Sequence, residues 1–259
     1  MKKIIILLLS AASLTGCATV QIQSAVVDYD YSDMRLVQLE EPYENQPIAV
    51  ITTTLGVVKV ALFPEYAPNT VENFITNIKD GFYDDSPVMR IQEEAVFFAG
   101  ADSDGRLKAD DDGNIVEVEN EYSVNMWPFR GAIGACGNGP GFSDSRFFIV
   151  DREPLTDENL EQLRGLKIPP KSDNGENGDI VEGEGVQMFP DELVDAFGEV
   201  GCVVGYSGFY TIFGQTIEGL EIVEAICKSE VDERSRPISE PQIKIIKIEL
   251  EYYAPINNE

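Results

Sequence analysis

Whatever chemistry this chain performs, it performs without an imidazole: its 259 residues include no histidine. That removes Ser-His-Asp and Cys-His nucleophilic mechanisms, zinc sites built on histidine and any histidine pH switch. The four cysteines, Cys17, Cys136, Cys202 and Cys227, form no C-x-x-C pair. Thiol redox catalysis and a thiolate metal cluster are therefore not expected. The last three cysteines read as small buried apolar residues, with at most one pair among them. Asp102-Ser103-Asp104-Gly105 and Asp110-Asp111-Asp112-Gly113-Asn114 invite a calcium reading. An EF-hand loop needs glycine where Ile115 stands, so both read as solvated acidic turns, with no metal. A cation remains, Arg90 in Pro87-Val88-Met89-Arg90-Ile91; taken alone it reads as a surface arginine paired with Glu93 or Glu94.

The elements around these residues follow from periodicity. Ile48 to Thr54 is β-branched and reads as a strand, turned by Leu55-Gly56 into a second strand, Val57 to Phe63. Pro68 and Asn69 open a helix whose Val71, Phe74, Ile75 and Ile78 share one face, and Gly81 ends it. Ile115 to Tyr122 alternates like a strand. Gly131 to Gly137 is a strand of small residues, which implies that something packs close to its backbone. Ser145 to Val150 reads as a buried strand, and Phe209 to Phe213 and Ile243 to Tyr252 as later ones. A helix is expected around Leu220, Val223 and Ile226. Between about 151 and 200 lie two short helical patterns, Thr156 to Leu163 and Pro190 to Phe197, and a Pro/Gly-rich loop, Lys167 to Gly185. This reads as an insertion with too few apolar residues for a core of its own.

Composition sets the outer limits. An apolar content of 43% supports a packed core. Acidic residues outnumber basic ones 46 to 19, for a net charge of -27, so a nucleic-acid partner is not expected. Lys2 and Lys3 precede the apolar run Ile4 to Leu9, which is too short to span a membrane and reads as a secretory signal. It ends in Leu14-Thr15-Gly16-Cys17, which resembles a bacterial lipobox. Residues 1–16 then form the signal peptide and Cys17 carries the lipid. Residues 17–46 form a polar tether, 47–252 the domain and 253–259 a tail.

The run Phe63-Pro64-Glu65-Tyr66-Ala67-Pro68-Asn69-Thr70-Val71-Glu72-Asn73-Phe74, with Gly81-Phe82-Tyr83 and then Arg90, resembles the opening of a cyclophilin. Ser145-Arg146-Phe147-Phe148-Ile149-Val150 and Tyr210-Thr211-Ile212-Phe213-Gly214 agree in order and type. The resemblance implies an all-β fold with capping helices: a closed, antiparallel, eight-stranded barrel with a helix at each end and a partly helical insertion. It implies a peptidyl-prolyl cis-trans isomerase that assists the folding of exported proteins, or a peptide-binding lipoprotein of that fold without turnover. Arg90 takes the place of the catalytic arginine, and Phe148 that of the proline-pocket floor. Phe97 and Phe98 fall near the pocket's other aromatic and its methionine, with Val96 a register shift of one residue away. Ala99 stands where the family has a glutamine, and Ala135-Cys136-Gly137 where it has Met-Ala-Asn. Tyr206 and Tyr210 stand in the segment before the Phe-Gly turn, Tyr210 in place of a histidine. Loss of the glutamine and asparagine partners implies reduced activity; a sharp gain on placing Gln and Asn at 99 and 137 would mark a protein tuned away from catalysis. The resemblance implies no cofactor, Pro-containing polypeptide clients, and a monomer anchored through Cys17 on the extracytoplasmic side of the cell membrane.

Overall fold

The computed structural model describes residues 30–138, 141–168 and 186–255, and a two-residue ribbon, Ile5–Ile6 against Ala25–Val26. Cys17, most of the expected signal segment and most of the 167–185 loop lie outside the described residues.

The predicted first hairpin is present, shifted by one residue. Strands β1 (Pro47–Thr53) and β2 (Gly56–Leu62) pair antiparallel down to Thr53↔Gly56. The Thr53 hydroxyl ties the turn, donating to Gly56 O at 2.8 Å and accepting from the amides of Leu55 and Gly56. Helix α1 (Pro68–Lys79) begins on proline, whose missing N–H costs nothing in a first turn. Ala67 offers no side-chain cap; Glu121 supplies one from a distant loop. Its carboxylate accepts from the amides of Asn69 and Thr70 at 3.1 and 2.9 Å, and from both of their side chains at 2.8 Å.

Nine antiparallel strands make the main sheet. After β1 and β2 come β3 (Ser86–Pro87), β4 (Arg90–Gln92), β5 (Val96–Ala99), β7 (Ala132–Ala135), β9 (Phe147–Val150), β10 (Thr211–Glu218) and β11 (Lys244–Tyr252). Their spatial order is β3-β11-β1-β2-β10-β7-β9-β5-β4. A separate ribbon joins β6 (Val118–Glu119) to β8 (Phe142–Ser143), so the strand expected over 115–122 shrinks to two residues and a bridge, Ala109↔Ile115. The expected closed eight-stranded barrel is corrected here: the ladder has nine members and is open between β3 and β4. Those two edge strands are nevertheless neighbours in the chain. Val88 donates to Ile243 O on one side of the gap and Met89 to Phe98 O on the other, at 3.1 and 2.8 Å. Three residue steps span at most about 11 Å, so the sheet must curl until its edges nearly meet. The free side of β4 is sealed by the bond from Ile91 N to Ser235 O, 2.8 Å.

Side chains alternate across this sheet. One face carries Ile51, Leu62, Phe97, Ile133, Phe147 and Phe213, all fully buried, beneath α1 and α4 (Leu220–Cys227). Phe74 of α1 meets Phe147 and Phe213 edge-on at 5.5 and 5.2 Å. The opposite face carries Val96, Cys136, Phe148 and Ile212.

The insertion differs from expectation. Helices α2 (Asp157–Gly165, N-capped by Thr156) and α3 (Asp191–Val200) do build a core, together with Trp127 and Phe129 of the preceding loop. Residues 30–46, expected as tether, dock on the domain. Tyr31 stacks on Trp127 and donates to Met188 O at 2.9 Å. The buried Gln38 amide donates to Trp127 O and accepts from Trp127 N. Among the described residues no helix is long and apolar enough to cross a membrane.

Candidate functional site

The ladder lines up one row across four strands. Arg90 lies opposite Phe98, Phe98 opposite Phe148, and Phe148 opposite Gly134. Period-two alternation places this row on the face away from α1 and α4. Phe148 lies low on the sheet because Gly134 leaves room: a Cβ there would fall 2.2 Å from Phe148 Cζ. The close approach expected along 131–137 is therefore, at Gly134, the Phe148 ring.

Arg90 is exposed, and its guanidinium carbon stands 5.7 Å from the Phe98 ring centroid. That is cation–π range, which holds the charge over the aromatic row without neutralising it. Among the described residues Arg90 makes no ion pair, with Glu93 or Glu94 or any other carboxylate. Arg146, two residues before the floor, is occupied. Its Nε donates to Asp144 Oδ1 at 2.9 Å and its Nη2 to Asn138 Oδ1 at 2.6 Å.

The far wall comes from the segment after α3. A short 3-10 turn, Val204–Tyr206, turns Tyr206 and Tyr210 onto Phe148, with centroids 5.1 and 5.2 Å away and rings edge-on. Burial raises both phenols, against the lowering field of Arg90, so they stay protonated donors. Tyr206 donates from its hydroxyl to Gln92 Oε1 at 3.1 Å.

Of the residues the sequence pointed to, Arg90, Val96, Phe98, Cys136, Phe148, Tyr206 and Tyr210 are brought to this face. Phe97 and Ala99 are not: both are fully buried among the residues beneath α1 and α4. The uncertain register over 96–98 resolves as Val96 and Phe98 outward, Phe97 inward. Cys136 packs behind the row, and burial pushes its thiol up to about 12, so it is inert near neutrality. Gly137 stands at the rim, where a Cβ would fall 2.4 Å from the Phe142 carbonyl oxygen. Gln92 and Gly134 were missed. Gln92 lies two residues from Arg90 on the same strand, so the alternation that puts Arg90 outward would have found it. No group of acidic or cysteine side chains among the described residues could hold a metal ion.

Residues 48–249 match the family described as cyclophilin type peptidyl-prolyl cis-trans isomerase/CLD. The chain belongs to this family. As a cyclophilin-type enzyme it is a peptidyl-prolyl cis-trans isomerase, and its relatives agree. A Staphylococcus aureus protein bearing a peptidyl-prolyl cis-trans isomerase name is 29% identical over 213 residues, covering 82% of this chain and 97% of the relative. A Staphylococcus epidermidis protein of the same name is 29% identical over 210 residues, covering 81% and 95%. Among solved structures, a Cryptosporidium parvum cyclophilin-type isomerase aligns with TM-score 0.54 and 18% identity, covering 82% of this cyclophilin and 99% of that chain. The same Cryptosporidium protein in the presence of the dipeptide Ala-Pro aligns with TM-score 0.51. These two support the cyclophilin-like fold: a curled, mostly antiparallel sheet with helices.

Proposed function

We propose that Arg90 drives isomerisation of X-Pro bonds on the aromatic row Phe98–Phe148. The supporting observation is an exposed guanidinium held over Phe98 with no carboxylate partner among the described residues. Amide resonance sets a barrier of about 18–20 kcal/mol to rotation. As the bond twists, the proline nitrogen loses conjugation and becomes a better acceptor. A donor placed there stabilises the twisted state more than either planar one, which lowers the barrier. Arginine suits the task because it never needs to exchange a proton.

The clients of this reading are exported polypeptides. The basic and apolar start and the Leu14-Thr15-Gly16-Cys17 sequence support a lipid anchor at Cys17 on the extracytoplasmic side. Uncatalysed proline isomerisation takes tens of seconds there as elsewhere. Catalytic efficiency at low substrate is reduced in this reading because Phe148, the floor, is fully buried. The same observation favours the second reading, a peptide-binding protein that does not turn over its ligand.

The test is the isomerisation rate of a short Ala-Pro peptide with the wild type and with Arg90→Ala. An oxyanion-type donor is worth about 2.7–4 kcal/mol, so the variant should lose roughly a hundredfold or more of kcat/KM. Equal rates remove Arg90 from the mechanism, and peptide binding without any rate enhancement selects the second reading.

A further inference from the structure

Phe148 has no exposed surface. Its ring rests on Gly134, and Phe98, Tyr206 and Tyr210 close around it. A ligand ring cannot touch a floor that is already covered. Tyr206 itself is half-buried, so its outer side meets solvent and its ring has somewhere to go. What holds it down is its ring contact with Phe148 and with Tyr210, 4.9 Å away, and, among the described residues, one side-chain hydrogen bond, to Gln92, an exposed residue of the strand that carries Arg90.

We propose that Tyr206 is a gate over the proline pocket, latched to Gln92, and that X-Pro substrates bind only when the latch opens. Opening swings the phenol off Phe148 about its own side-chain torsions and leaves the backbone turn in place. That turn is held separately, by Tyr206 N to Val203 O at 2.8 Å and Val203 N to Pro128 O at 3.1 Å. Tyr210 stays as the remaining wall. The latch sets the fraction of molecules competent to bind, and apparent affinity scales with that fraction. Gating therefore acts on KM, while kcat, set by Arg90 once the peptide is seated, is unchanged. The same bond ties the pocket cover to the strand that carries Arg90.

This inference rests on the isomerase reading above, and the experiment separates the two. Isomerisation of an Ala-Pro peptide is measured for the wild type, Tyr206→Phe, Gln92→Ala and the double variant, each also carrying Arg90→Ala as a blank. Tyr206→Phe removes only one hydroxyl and keeps the ring, so it remains folded. The expected result is a KM lower by about 3- to 10-fold in each single variant, with kcat unchanged. The double variant should gain no more than the better single one, because both remove the same bond. Turnover that depends on Arg90 while KM is unchanged or raised in either single variant overturns the gate alone, as do additive effects. Turnover equal to the Arg90→Ala blank in every chain overturns the Arg90-driven reading, and the gate with it.

Discussion

Phe148 can lie against the sheet because residue 134, its neighbour across the ladder, has no side chain. Gly134→Ala would drive a methyl group into the ring at 2.2 Å, and Phe148 has no free side to retreat to. Overpacking of this kind costs about 1–3 kcal/mol. The expected outcome is a lower melting temperature together with a loss of kcat/KM, both read on the purified variant. Two other substitutions look like repairs and are not. Ala99→Gln would bury an amide among apolar side chains, and Gly137→Asn would press a Cβ onto the Phe142 carbonyl. Each should destabilise, the first by about 1–3 kcal/mol, without raising isomerase activity. A gain of activity in either would contradict the placement of these residues. The run Val96-Phe97-Phe98-Ala99 shows why the faces were hard to tell apart from sequence. All four residues are apolar, as in a strand buried on both sides, so the pattern carries no phase. Arg90 and its alternation fix the phase from the strand next door.

The elements were more legible where one face alone is buried. Helix α1 follows its apolar spacing and its proline start, and it ends before Gly81. Its cap was invisible, because Glu121 comes from more than fifty residues away and no local pattern marks it. Glu121→Ala should cost about 1–2 kcal/mol, the usual worth of an N-cap with a carboxylate at the positive helix end, measured by urea unfolding. A shift near zero would mean that water replaces the carboxylate fully. The insertion was misjudged for a related reason. Counted by itself it is poor in apolar residues, but its core borrows Trp127 and Phe129 from the loop before β7 and is covered by the strap around Tyr31 and Leu36. Trp127 is the sole tryptophan of the chain and is fully buried, so its emission reports this packing. Removal of residues up to Leu39 should shift that emission to longer wavelength and lower the melting temperature. A chain unchanged in both would make the strap a passive tether after all.

For the molecule as a whole, the buried thiols set a limit on the alkaline side. Burial pushes Cys136 up to about 12, and raises Cys202 and Cys227 as well. An unfolded thiol titrates near 8.5. Below that pH both states are protonated and the contribution to stability is complete. Above it the unfolded chain loses protons that the folded one keeps, so stability falls as pH rises, by up to about 1.4 kcal/mol per unit for each thiol. Melting temperature should therefore decline from pH 8.5 toward 11, and the decline should flatten when the three cysteines are replaced by alanine. An equally steep decline in that variant would assign it to other groups. The sheet order carries a consequence for how the protein is made. Its first strand and its last are partners: Pro47 lies opposite Tyr252, and Ile51 opposite Ile248. Until the final strand leaves the ribosome, β1 presents an unpaired edge, and β3 lacks its only ladder partner among the described residues. An open edge is an invitation to associate with other chains. The seam on either side of β3 therefore closes only once residues 244–252 are made, so a nascent or truncated copy of this isomerase carries an open edge of its own.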